Sequence, residues 1–74
     1  MPMAHAPARA DETRVFAFIA ARFPRSSNAH DSLGEALAAN GDAAAAIRAY
    51  QRSLELDSRN TNATAQIARL RERR

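Results

Sequence analysis

HDSLGEALAANGDAAAAIRAYQRSLELD, residues 30–57, carries two apolar helical stripes separated by a three-residue break. Leu33 and Leu37 stand four apart in the first, and Ala46, Ile47, Tyr50, Ser53 and Leu54 keep helical spacing in the second. Between them, Asn40-Gly41-Asp42 is a stop-and-restart signal. Gly41 can take the left-handed conformation past a helix end, and Asp42 can cap the helix that follows. The stretch reads as one helix ending near Ala39 and another running from Ala43 to about Leu56. So short a connection favours antiparallel neighbours.

Upstream, Ser26 or Ser27 can cap the first of these helices. Pro24 stops an earlier one, because proline restricts the residue before it and has no N–H to donate. That earlier helix is marked by Phe16, Ile19, Ala20 and Phe23 at buried-stripe spacing, with Asp11 and Glu12 placing negative charge in its first turn. Residues 1–10, containing Pro2 and Pro7, show no hydrophobic period and are expected to be a disordered tail. Downstream, Asp57-Ser58-Arg59-Asn60 is a polar break. Asn60 or Thr61 can cap a last helix carrying Ala63, Ile67 and Leu70. No stretch alternates as a strand would. The expectation is all-α: about four helices over residues 11–74.

A shift of 34 positions lays the chain on itself, with Phe16 on Tyr50, Ala29 on Ala63, Leu33 on Ile67 and Gly34 on Ala68. Small residues fall on small ones and apolar on apolar. With this period, His30-Asp31-Ser32-Leu33-Gly34-Glu35-Ala36-Leu37 followed by Gly41-Asp42 and Ala46 through Asp57 resembles the tetratricopeptide repeat. The resemblance implies antiparallel helix hairpins: a partial repeat over 11–25, a full repeat over 27–60 and a capping helix over 61–74. It is similar to the C-terminal repeat segments of bacterial multidomain proteins. The chain departs from the family pattern at His30 and Leu37, where aromatics are usual, at Ala43, where tyrosine is common, and at Ser58, where proline is usual. Each missing large side chain forfeits burial worth about 1.5–3 kcal/mol. The expected core is Phe16, Ile19, Phe23, Leu33, Gly34, Leu37, Ala46, Ile47, Tyr50, Leu54, Ile67 and Leu70.

Composition limits the alternatives. With 74 residues the chain holds one small domain, and with no cysteine it has neither disulfides nor thiolate metal sites to reinforce it. No apolar run is long enough to span a membrane, and Met1 to Ala10 lack the continuous apolar stretch that a secretory signal needs. The expected location is the cytoplasm. Net charge is +3, every basic residue is arginine, and Arg69, Arg71, Arg73 and Arg74 supply most of the excess. Such an end complements the negative pole of a helix or binds phosphates without specificity. An arginine-rich binder of nucleic acid or anionic surfaces is therefore the alternative reading. Alanine richness and the exclusion of lysine resemble the usage of GC-rich bacterial genomes.

Catalytic groupings are weak. His30, Asp31 and Ser32 are consecutive, and consecutive helical side chains point about 100° apart, so they cannot converge. His5 has no companion at metal-ligand spacing, and Gly34 and Gly41 do not form a phosphate loop. No enzyme activity and no cofactor are expected. The family resemblance instead implies a peptide groove lined by first helices, here Asn28, Asp31, Ser32 and Glu35, then Asn62, Gln66, Arg69 and Arg73. It lacks the Lys/Asn/Arg set with which some members clamp a carboxylate. The competing use of those charges is internal, with Asp31 and Glu35 pairing with Arg69 and Arg73 at about 0–1 kcal/mol for exposed pairs. Val15 and Phe18 lie on a face of the first helix that a longer array would cover. An uncovered apolar face marks an association site, which a homodimer could close. The expected function is a protein-interaction scaffold or adaptor with a protein or peptide partner.

Overall fold

A computed structural model describes the backbone of residues 5–72 and the side-chain surroundings of residues 12–72. Four helices follow one another: α1 (His5–Arg22), α2 (Ser27–Ala39), α3 (Ala43–Leu56) and α4 (Thr61–Glu72). Among the described residues there is no strand. Each helix packs on its chain neighbours, α1 on α2, α2 on α3 and α3 on α4. The result is a thin slab of 43 × 31 × 15 Å.

Local chemistry sets the boundaries. At the end of α1 the Phe23 N–H still reaches the Ile19 carbonyl at 2.9 Å, and Pro24 prevents continuation. Ser26 caps α2, its side chain accepting from the Ala29 N–H at 3.1 Å. Helix α2 closes in a Schellman turn: Gly41 N–H donates to the Ala38 carbonyl at 3.0 Å and Asp42 N–H to the Leu37 carbonyl at 2.9 Å. Gly41 sits at φ 88°, the left-handed conformation that the turn requires. Asp42 then caps α3 through Ala45 N–H at 3.3 Å, and Asn60 caps α4 through Ala63 N–H at 3.1 Å. Helix starts at Ser27 and Thr61, and helix ends at Arg22 and Leu56, are each 34 positions apart. The period seen in the sequence is thus also a period of the backbone.

Two expectations change. Helix α1 begins at His5, so residues 5–10 of the expected tail have helical backbone; residues 1–4 lie outside those described. Pro7 falls within the first turn, where a missing N–H breaks no intrahelical bond. Phe23, expected in the core, is 60% exposed. It lies beyond the last residue of α1, in the Pro24 turn, and forms one wall of an open hollow instead.

The core centres on Ala46, Tyr50, Ala63, Ile67 and Leu70, with Leu37, Ile47 and Leu54 partly buried against it. Gly34 is buried too, while Phe16, Ile19 and Leu33 are half-buried. Much of the remaining buried surface is alanine: Ala20, Ala29, Ala36 and Ala49. Small side chains let the helices approach closely but bury little area each. Full burial of Tyr50, Ile67 and Leu70 at about 1.5–3 kcal/mol apiece therefore dominates the stabilisation.

Candidate interaction surfaces

The expected groove residues lie on two helices. Asn28, Asp31, Ser32 and Glu35 are on α2, and Asn62, Gln66 and Arg69 are on α4; Arg73 lies outside the described residues. Asp31 joins the two helices, though not through arginine. Its carboxylate accepts from Asn62 Nδ2 at 3.1 Å and from Asn60 Nδ2 at 3.2 Å. Among the described residues no ion pair links Asp31 or Glu35 to Arg69; ion pairs elsewhere include Arg52–Glu55 and Arg59–Asp57. The amide donors win because Asn60 is already fixed as the cap of α4 and needs no long side chain ordered to reach Asp31.

Asn60 extends this contact into the interior. The same Nδ2 donates to Ser53 Oγ at 2.8 Å. Ser53, fully buried, donates its hydroxyl to the Ser27 carbonyl at 2.9 Å, and the two serine hydroxyls lie 2.7 Å apart. Ser27 Oγ also lies 3.0 Å from the Ser53 carbonyl. A continuous polar chain therefore ties α2, α3 and the start of α4 together. No buried side-chain polar atom among the described residues is left without a partner. Sequence reasoning placed Ser53 in the apolar stripe and missed this role. A hydroxyl at a core-facing position was the available signal, since such a group must find a partner.

Tyr50 is buried near charges of both α2 and α4. Burial pushes its phenol up to about 12, and the charges of Asp31 and Glu35 add to the rise while Arg69 opposes it. Three of the expected groove charges therefore act on one buried hydroxyl. His30 does not face Asp31 or Ser32 as a catalytic partner. Its Nε2 is 3.0 Å from the Pro24 carbonyl, to which it donates, fastening the α1–α2 turn.

On α1, Val15 is 54% and Phe18 62% exposed, and the Arg22 guanidinium stands 5.9 Å from the centre of the Phe18 ring. Between α1 and α2 lie two open hollows. One of about 260 Å³ is lined by Phe16, Ile19 and Phe23 with Asn28 and Ser32. The other, of about 380 Å³, has Phe16 and Ala36 at its floor and Glu12 and Glu35 at its rim. Arg69 and Arg71 occupy the last turn of α4, where positive charge complements the helix dipole.

Among the described residues no helix is long and apolar enough to cross a membrane, and no cluster of three or more His, Cys, Asp or Glu residues is placed to hold a metal ion. Compared with protein-family models, curated proteins and solved structures, the chain matches none.

Proposed function

We propose that this chain is a protein–protein interaction module, a tetratricopeptide-like scaffold or adaptor whose working surface is the uncovered apolar side of α1. The observation that carries the reading is the exposure of Val15, Phe18 and Phe23 on α1 and its terminal turn, in a fold whose α3 and α4 bury or half-bury their large apolar side chains. Leaving such side chains in water forgoes burial that a partner would supply. The inner groove supports the reading less, because Asp31 is already held by Asn60 and Asn62. In a longer array the same side of α1 is the one that a preceding helix would cover.

Light scattering across a concentration series tests this. The average mass is expected to rise with concentration for the parent chain and to stay monomeric for Val15→Glu, with helical circular dichroism unchanged. A Val15→Glu chain that associates as the parent does would overturn the assignment of α1 as the contact surface.

A further inference from the structure

The 34-position period lets each end of the slab be compared with its interior. Inside the chain, α2 packs on α3 with Gly34 against the Tyr50 ring, and Leu37 packs into the cluster containing Ala46. One period later on α4, Gly34 and Leu37 become Ala68 and Arg71, both exposed. One period earlier on α1, Ala46, Ala49 and Tyr50 become Glu12, Val15 and Phe16, of which Glu12 and Val15 are exposed and Phe16 half-buried. The surface of α4 corresponding to the α3-facing side of α2 is open. So is the surface of α1 corresponding to the α2-facing side of α3.

These two open surfaces complement each other. We infer that α4 of one copy seats in the acidic-rimmed hollow beside α1 of a second copy, joining chains head to tail in the register that joins α2 to α3 within one chain. Ala68 then meets Phe16 as Gly34 meets Tyr50. Its methyl, absent at Gly34, holds these helices slightly further apart. Arg71 stands where Leu37 stands and Glu12 where Ala46 stands, so the apolar cluster that Leu37 packs against in the interior is replaced at the joint by opposite charges facing across it. A second charge complementarity follows from the same register. Glu35 and Arg69 are themselves one period apart, and both act on the Tyr50 phenol. At the joint, Arg69 of one copy takes the place of Glu35, on the same side as Glu35 of the next, near enough to add long-range attraction without a direct ion pair, as within one chain. The hollow of about 380 Å³ has Glu12 and Glu35 at its rim and Phe16 at its floor, and α4 brings Arg69 and Arg71 on either side of Ala68. Val15, replacing the buried Ala49, is covered in this arrangement.

The occupant is a second copy, and the joint joins two different surfaces. A surface that meets a different surface gives open chains, or rings where the rotation closes, whereas two α1 helices meeting by two-fold symmetry stop at a dimer. The inference rests on the reading of α1 as an association surface and specifies what α1 meets.

Glu12→Arg and Arg71→Glu test it, with Arg48→Glu as a charge-matched control on the exposed side of α3. In light scattering and sedimentation, the parent mass is expected to pass beyond twice the monomer as concentration rises. Either single variant is expected to weaken association about a hundredfold, the scale of like charges set against each other at an interface. Mixing the two in equal amounts restores it, since each supplies the intact surface that the other lacks. The Glu12→Arg/Arg71→Glu double variant recovers association alone, with circular dichroism confirming that every variant is folded. Association abolished by Val15→Glu but untouched by Arg71→Glu would overturn the head-to-tail joint and leave the α1 surface standing, with a mass limit at the dimer pointing to α1 pairing with α1. A parent chain that is monomeric at every concentration overturns self-association itself, and the joint with it.

Discussion

The ring of Tyr50 on α3 lies across the bare backbone of Gly34 on α2: a β-carbon at Gly34 would stand 2.9 Å from Cε2 and 3.0 Å from both Cδ2 and Cε1. Near-equal distances to three atoms of one ring put that carbon over the ring face. The contact is made possible by the absence of a side chain, and it sets the spacing of the central helix pair.

Gly34→Ala therefore tests whether packing outweighs propensity. In a helix interior the change favours stability by up to about 1 kcal/mol. Here the added methyl meets a rigid buried ring, and overpacking of that kind costs about 1–3 kcal/mol. The expected result is net destabilisation in urea melts. In a Tyr50→Leu background, whose flexible side chain can yield, the same substitution is expected to cost less or to stabilise. Equal effects in both backgrounds would show that the ring does not set the spacing.

Asn60 separates capping from cross-linking. Asn60→Asp keeps an oxygen to cap Ala63 N–H, and aspartate caps about as well as asparagine. It loses the amide that donates to Asp31 and Ser53 and sets a second carboxylate beside Asp31. The expected cost is about 1–3 kcal/mol, the scale for stranding buried polar partners. The cost should shrink in acid as the carboxylates protonate. Ser53→Ala should fall toward the lower end of that range, because it removes one bond each from the Ser27 carbonyl and the Asn60 amide while leaving the Asn60–Asp31 bond in place. Thermal melts at neutral and acidic pH read both effects.

Much of this architecture was legible because it is written in local chemistry. Ser26, Gly41, Asp42 and Asn60 each satisfy backbone groups within a few residues of themselves, so their positions alone place the helix boundaries. Other features depend on arrangement. Whether Phe23 is buried turns on the direction the chain takes after Pro24, which spacing along α1 does not contain. Asp31 could have met an arginine or an asparagine, and only the placement of α4 against α2 decides for Asn60 and Asn62. The buried role of Ser53 likewise exists only once Ser27 lies opposite it. The start of α1 was hidden by Pro7, which reads as a breaker unless it falls in a first turn.

Gly41 gives a case in which space plays no part. A β-carbon there would meet nothing within 4 Å, yet φ is 88°. Gly41→Ala is expected to cost about 1–2 kcal/mol, the penalty for an L-residue held in the left-handed region. Gly41→Asn should cost less, since asparagine adopts that conformation more readily. Urea midpoints for the two variants give the order; an alanine variant as stable as the parent would mean that the Schellman turn rearranges without loss.

Tyr50 predicts an alkaline limit to stability. It is the chain's single tyrosine, so tyrosinate absorbance reports one site. Its phenol is raised to about 12 by burial first, then by Asp31 and Glu35, against the opposing Arg69. An acid whose folded pKa lies above its unfolded value holds its proton more tightly when folded. The resulting stabilisation is complete below about pH 10, the unfolded value, and is lost as pH rises from there through about 12. Unfolding free energy should therefore fall across that window, and the folded protein should ionise near its upper end. Glu35→Gln removes one of the raising charges and should lower the titration midpoint, while Arg69→Gln should raise it. Because both groups are exposed at the groove, added salt should reduce the two shifts but leave the larger part caused by burial. A midpoint near pH 10 for the folded parent would mean that solvent reaches the phenol and that the groove charges do not act on it.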